Sequence, residues 1–471
     1  MTPEEFRTYG YALVDWIAGY RERVGELPVM SPVEPGAIKA RLPVEPPRQG
    51  EPFAAILRDV DEIILPGVSH FQHPSFFGYF PANASLASVL GDFLSTGLGT
   101  LGLSWQSSPA LTEVEETVTD WLRRMLGLSQ EWSGVIQGSA SESTLVALLT
   151  ARERATDHGQ ARGGLQAEPQ PLVVYGSEQS HSSVDKAALL AGFGRDNVRV
   201  VATDERFALR PDALRAAIAR DLAAGRRPAA IVATVGTTAT TALDPLAPLA
   251  EIAREFGLWL HVDAALAGSA MILPECRWMW QGIEGADSLV LNPHKWLGAA
   301  FDSSVYYVRD PQHLIRVMST NPSYLRTAAD EQVKNLRDWG VPLGRRFRAL
   351  KLWFLIREAG VEQLQARLRR DLANAQWLAE QVERAPEWRL LAPVPLQTVV
   401  LRHEPPGLAG EALDRHTLGW VNRINRSGAA YLTPAVLEGR WMVRVSIGAE
   451  PTERADVERL WATMRAAAEE T

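Results

Sequence analysis

The run Ala286-Asp287-Ser288-Leu289-Val290-Leu291, continued by Asn292-Pro293-His294-Lys295-Trp296, sets a lysine directly behind a short strand-like segment. Leu289, Val290, Leu291, Trp296, Leu297, Ala299 and Ala300 give that lysine apolar company. Such surroundings disfavour an ammonium and favour the neutral amine that attacks a carbonyl, so Lys295 reads as a Schiff-base nucleophile. It has few competitors: the other lysines are Lys39, Lys186, Lys334 and Lys351, and arginine carries the remaining positive charge.

Upstream, a second strand-like run, Leu258-Trp259-Leu260-His261-Val262, ends in Asp263. Two strands that end in functional groups suit the carboxyl edge of a parallel sheet. An amine and a carboxylate so placed suggest pyridoxal phosphate. Its ring is an electron sink only while the ring nitrogen stays protonated, and a neighbouring carboxylate raises that nitrogen's pKa. Taken singly, Asp263 could cap a helix and Lys295 could sit in a buried ion pair, since structural networks also bury charge.

A third segment, Val135-Ile136-Gln137-Gly138-Ser139-Ala140-Ser141-Glu142, passes through small residues into a helix-like run carrying Leu145, Leu148 and Leu149. Free amides and the dipole at a helix start hold an anion, and the Ser139 and Ser141 hydroxyls add donors. The same residues also spell a capping box, Ser139 with Glu142. They do not spell the G-x-G-x-x-G of dinucleotide sites.

These motifs come in order with Val33–Gly36, Phe76–Pro81, Ser104-Trp105, His181–Val184, Gly236-Thr237-Thr238 and Pro342–Phe347. Together, over nearly the whole chain, they resemble the group II pyridoxal-phosphate decarboxylases of the aromatic L-amino acid decarboxylase type. The resemblance implies the aspartate aminotransferase-like fold type I. That is an α/β architecture with a mainly parallel sheet in a large domain, a small α+β C-terminal domain and an N-terminal helical arm. It implies a Schiff base at Lys295, Asp263 on the pyridine nitrogen and His181 stacked over the ring. Ala140, Ser141 and Asn292 would contact the phosphate, with Thr238, Ala265 and His294 around the cofactor.

Cofactor residues do not choose which bond breaks at the substrate α-carbon; orientation and the proton donor do. Tyr324, within the polar segment Thr320–Val333, matches the family's loop tyrosine, which returns a proton to the α-carbon after carbon dioxide leaves. Relatives with phenylalanine there release an aldehyde. Phe71, Tyr79, Phe80, Pro81 and Ala82 match side-chain pocket positions, and Leu101 and Leu103 match residues given by a second subunit. Gly344 matches a position where plant relatives carry glycine for indolic substrates. Three departures, Ala82 for threonine, Leu103 for an aromatic and Leu266 for tyrosine, lower the polarity and lean toward an indole or phenyl ring over a catechol.

The expectation is thus a homodimeric, pyridoxal-phosphate-dependent aromatic L-amino acid decarboxylase, its active site shared between subunits. An aldehyde-forming enzyme, a decarboxylase of histidine or glutamate, and a non-catalytic cofactor-binding protein are the alternatives.

Length and composition agree, since 471 residues exceed one ordinary core. The pattern reads as a helical arm over residues 1–85 that packs on a partner, a cofactor domain over 86–360 and a small α+β domain over 361–471. A net charge of −8 disfavours nucleic acid. The one local basic patch, Arg345, Arg346 and Arg348, reads as structural or phosphate-facing. The single cysteine, Cys276, excludes an intrachain disulfide and fits a reducing compartment. No apolar run reaches membrane-spanning length, so the cytoplasm is expected. His70 and His73, set among proline and aromatics, do not make a metal motif.

Overall fold

The computed structural model describes residues 1–320, 330 and 332–470. By its contacts the chain divides into two compact units, one of Ala82–Leu372 with Ala392–Thr398, the other of Met1–Pro81 with Ala373–Leu391 and Val399–Thr471. Strand β1 (Phe76–Phe77) belongs to the second unit. The first unit is built on β2 (Ser133–Gln137), β3 (Leu172–Ser177), β4 (Val198–Val201), β5 (Arg227–Thr234), β6 (Trp259–Asp263), β7 (Ser288–Leu291) and β8 (Ser304–Val308). The remaining strands are β9 (Trp388–Leu390), β10 (Thr398–His403), β11 (Tyr431–Leu437) and β12 (Arg440–Ser446).

The seven strands of the first unit form one sheet in the order β2-β8-β7-β6-β5-β3-β4. The pairs β3/β4, β3/β5, β5/β6 and β6/β7 are parallel, and β8 alone runs against both neighbours, β2 and β7. The sheet is therefore mainly parallel. β3, β6, β7 and β8 are buried along their whole length, as expected where helices cover both faces and the strands need no polar side. Those helices include Ala140–Ala155, Ser183–Leu190, Pro211–Ala223 and Leu246–Phe256. Pro109–Leu126 shows how the sequence makes one: Ser108 caps its start with Pro109 behind it, Leu111, Val118, Leu122 and Leu126 fall on the buried stripe, and Gly127 (φ 75°) ends it in the left-handed region.

Because β2, β3, β5, β6 and β7 point the same way, their carboxyl ends share one edge of the sheet. Each delivers a candidate residue there: Ala140 after β2, His181 after β3, Thr238 after β5, Asp263 at the end of β6, and Asn292 to Lys295 after β7. Residues far apart in sequence thus meet at the edge where open α/β sheets bind ligands.

The second unit has its own five-stranded sheet, β1-β11-β12-β10-β9, in which β11/β12 and β10/β9 are antiparallel. β1 joins it in parallel through Phe76 and Phe77 opposite Tyr431 and Leu432. That pairing draws the first 81 residues into the C-terminal unit, where the sequence pattern reads as a helical arm over residues 1–85 that packs on a partner.

Close packing behind the functional edge is set by a glycine. A Cβ on Gly268 would lie 2.5 Å from the Leu291 Cβ, at the end of β7. Gly268→Ala is expected to destabilise the fold by about 1–3 kcal/mol through overpacking, measured as a lower urea midpoint. An unchanged midpoint would contradict this packing.

Candidate active site

Asp263 and Lys295 are brought together by the backbone of β6 and β7. Asp263 lies opposite Val290 in the parallel register, the Ala264 amide donates to the Val290 carbonyl (2.9 Å), and the Asn292 amide donates to the Ala265 carbonyl (3.0 Å). The loops beyond the two strands are therefore stitched side by side. Asp263 is buried, and its Oδ1 accepts the Ala265 amide at 3.0 Å.

Lys295 sits within the turn Pro293–Leu297 and interrupts it, its φ of −95° and ψ of −107° being non-helical. Its amide donates to the Asn292 carbonyl (2.9 Å) and its own carbonyl accepts from Asn83 Nδ2 (3.3 Å). Trp296 and Leu297 on its flank are fully buried, whereas Lys295 is only partly so. The apolar neighbours thus anchor the turn around the half-buried lysine.

The anion-holding end is the start of the helix Ala140–Ala155. Ser139 caps it, its Oγ accepting the Glu142 amide (3.2 Å), while Glu142 Oε2 accepts the Gly138 amide (2.9 Å). Cap and anion site are not alternatives here. Among the described residues the Ala140 and Ser141 amides have no hydrogen bond within the chain, which leaves two donors at the positive end of a dipole. Ala140, Ala265 and Val290 pack together as one buried cluster, so the helix start, the loop after Asp263 and β7 adjoin. Asn292 is buried and held by Ser304, whose Oγ donates to Asn292 Oδ1 at 2.6 Å.

Around this core stand three further candidates. His181 is exposed, and its Nδ1 accepts the Ser183 amide (3.1 Å) beside the Ser183 hydroxyl (2.7 Å), which leaves Nε2 and the ring faces free of those bonds. Thr238 is exposed in the loop after β5. His294 is buried, with Nδ1 accepting the Ser303 amide at 2.9 Å. Tyr324 lies outside the described residues.

The pocket candidates fall into two groups, each within one unit. Phe71 and Tyr79 have stacked rings with centroids 6.2 Å apart, the Tyr79 hydroxyl meets that of Tyr431 at 3.1 Å, and Phe80 lies under the Arg444 guanidinium, whose carbon is 4.9 Å from the ring centre. Pro81 ends that segment. In the other unit, Ala82 stands next to Asn83, and Leu101 comes within 3.4 Å of where a Gly344 side chain would begin. The Gly102 amide donates to the Arg345 carbonyl (2.9 Å), and the Ser107 hydroxyl donates to the Leu101 carbonyl (2.8 Å) while its oxygen receives the Leu103 amide (3.1 Å).

The arginine cluster proves structural: Arg345 pairs with buried Glu115 (2.8 Å), Arg346 with Asp92 (2.8 Å) and Arg348 with Asp302 (3.0 Å). Asn83 Nδ2 supports the Lys295 carbonyl. The sequence reading did not find Ser304, whose role depends on a hydrogen bond that no spacing announces.

A half-buried lysine, a buried carboxylate, an imidazole and a helix start with two spare amides fit pyridoxal phosphate, and with this sheet they define a fold type I pyridoxal-phosphate enzyme. The model of the pyridoxal-dependent decarboxylase conserved domain matches residues 35–404. A tryptophan decarboxylase of Camptotheca acuminata is 42% identical over 483 residues, covering 100% of this chain and 95% of that protein. A phenylacetaldehyde synthase of Arabidopsis thaliana is 41% identical over 471 residues, covering 98% and 95%. The crystal structure of Oryza sativa TDC with PLP and tryptamine superposes with a TM-score of 0.97 at 35% identity, covering 100% of this chain and 99% of that one. The chain belongs to the pyridoxal-dependent decarboxylase family, and it is a pyridoxal-phosphate-dependent amino acid decarboxylase.

Burial holds His294 and His261 neutral. His294 is pushed down to about 4, chiefly by burial and further by the Lys295 charge. His261 is pushed down to about 4 by burial, with Asp263 opposing. A histidine whose folded pKa is depressed costs stability as pH falls from its ordinary 6.5 toward about 4, because the unfolded chain takes the proton first. Buried Asp244 and Asp371, pushed up to about 6, act in the opposite sense between 3.8 and about 6. His294→Asn, whose Oδ1 can accept the Ser303 amide, is expected to reduce the acid-induced loss of stability by at most roughly 3 kcal/mol. Urea midpoints from neutral pH downward measure it, and an unchanged slope would contradict a neutral His294.

Proposed function

We propose that the protein removes the α-carboxylate of an aromatic L-amino acid, releasing the amine and carbon dioxide, with an indole ring the favoured side chain. The observation that carries this reading is the parallel β6/β7 edge, which places Asp263 and the Lys295 turn side by side. When bound, pyridoxal phosphate supplies a protonated ring that accepts the electron pair left by the departing carboxylate. The chain's part is to hold, orient and protonate.

In this reading the Ala140 and Ser141 amides and Asn292 hold the phosphate. Asp263 keeps a proton on the ring nitrogen by charge pairing, and the Lys295 amine is the covalent tether. His181 covers one ring face, with Thr238, Ala265 and His294 lining the rest. Tyr324 delivers a proton to the substrate α-carbon, a task for which its hydroxyl needs a hydrogen-bonded setting. Ala82, Leu101, Leu103 and Gly344 receive the aromatic ring. The bare Gly344 beside Leu101 leaves width for an indole, and the tryptophan decarboxylase of Camptotheca acuminata supports the same substrate class.

Aldehyde formation is the second reading, favoured by the phenylacetaldehyde synthase at 41% identity. Product analysis separates the two. Amine and carbon dioxide from tryptophan or phenylalanine, abolished in Lys295→Ala and shifted toward aldehyde and peroxide in Tyr324→Phe, are the expected results. Aldehyde from the unaltered chain, or full amine yield from Tyr324→Phe, would count against the Tyr324 role.

Pairing of two chains belongs to the same reading. The helix Pro3–Arg23 buries none of its residues and exposes Phe6, Tyr11, Leu13 and Val14. The helix Leu86–Leu98 exposes Leu86, Leu90, Phe93, Leu94 and Leu98, an apolar stripe at helical spacing. Stripes of this extent are covered in working proteins. Light scattering is expected to give twice the chain mass, and a single-chain mass would refute the pairing. Among the described residues no helix is long and apolar enough to cross a membrane; with one buried cysteine, the cytoplasm is the proposed location.

A further inference from the structure

β6 presents Trp259, His261 and Asp263 at alternate positions, hence on one face of the sheet. In the parallel register Ser288 of β7 stands opposite His261, as Val290 does opposite Asp263. Trp259, His261 and Ser288 are at most 1% exposed. The Trp259 indole N–H donates to Ser288 Oγ (2.8 Å), and His261 Nδ1 lies 2.9 Å from the same oxygen. His261 Nε2 is buried and, among the described residues, has no hydrogen-bond partner.

Counting protons decides the tautomer. An indole N–H can only donate, so Ser288 accepts from Trp259 and has one proton to give. If Ser288 gives it to His261 Nδ1, the histidine carries its own proton on Nε2. Only one donor is then unmatched, and it belongs to the residue two places before Asp263 on the same face. If instead Nδ1 carried the proton, Ser288 would have to accept twice, its own proton could go only to the neighbouring Tyr306 hydroxyl, the Tyr306 proton would then lack an acceptor, and the Nε2 lone pair would be unmatched as well among the described residues. The first arrangement satisfies more groups. The Asp263 charge also stabilises a proton on His261. Asp263 Oδ1 is taken by the Ala265 amide (3.0 Å), so Oδ2 is the oxygen open to a further donor.

We propose that His261 is a positioning residue for the reaction: Ser288 fixes it as the Nε2–H tautomer, and that N–H, through one water, holds the Asp263 carboxylate aimed at the cofactor nitrogen. The proposal rests on reading Asp263 as the partner of that nitrogen.

The test uses the full-length holoenzyme labelled with ¹⁵N-histidine, the His261 signals being those lost in His261→Gln. A protonated Nε2 with a bare, hydrogen-bonded Nδ1 is expected, and tautomer mixing is expected in Ser288→Ala. A proton on Nδ1 overturns the proposal. In parallel, His261→Leu is expected to bind pyridoxal phosphate at least about tenfold more weakly, the scale of one hydrogen bond to a charged group. It should lower kcat with KM little changed, while His261→Gln, which keeps a side-chain N–H, recovers most of both. Cofactor affinity and kcat unaltered in His261→Leu would overturn the proposal alone, provided Asp263→Asn is impaired; an unimpaired Asp263→Asn would instead overturn the role given to Asp263.

Discussion

The pairing of β6 with β7 is the constraint on which the rest depends. Two backbone bonds, Ala264 to Val290 and Asn292 to Ala265, carry the parallel register past the last strand residues. They fix how the Asp263 loop lies beside the Lys295 turn. A slip of one residue would turn Asp263 to the other face of the sheet, since side chains alternate. The register is protected by burial, because β6 and β7 are covered on both faces and every residue in them is apolar or hydrogen-bonded at a defined place. Gly268 belongs to the same arrangement, its missing side chain letting the segment after Asp263 settle against Leu291.

Rigid support then passes outward from that edge. Ser304, on the reversed strand β8, holds Asn292; Asn83 holds the Lys295 carbonyl; Glu142 and Ser139 shape the helix start that offers its amides. The reacting groups are thus few and the groups that orient them many, as expected where catalysis depends on geometry within fractions of an ångström. The buried pair Arg345–Glu115 has a comparable task beside Gly344, fastening α-helical Glu115 and the end of β2 to the segment that meets Leu101.

Much of this was legible in the sequence, for physical reasons. The strands Leu172–Ser177, Trp259–Asp263 and Ser288–Leu291 announce themselves as short apolar runs that end in polar or small residues, and strand ends are where α/β proteins keep their chemistry. A scarcity of lysines singled out Lys295. The reversed direction of β8 was not legible, because direction follows from connections and not from composition. Nor was the two-residue β1, which exists only because Phe76 and Phe77 meet Tyr431 and Leu432 from the far end of the chain. The supporting hydrogen bonds of Asn83 and Ser304 were equally silent, since each depends on a partner brought near by folding.

The central claim is that one amine, Lys295, tethers the cofactor beside Asp263. Borohydride reduction of the holoenzyme followed by proteolysis and mass spectrometry tests it most directly. The pyridoxyl mass is expected on the peptide that contains Lys295 and on no other. Its appearance on Lys39, Lys186, Lys334 or Lys351, or on no peptide at all, would contradict the account.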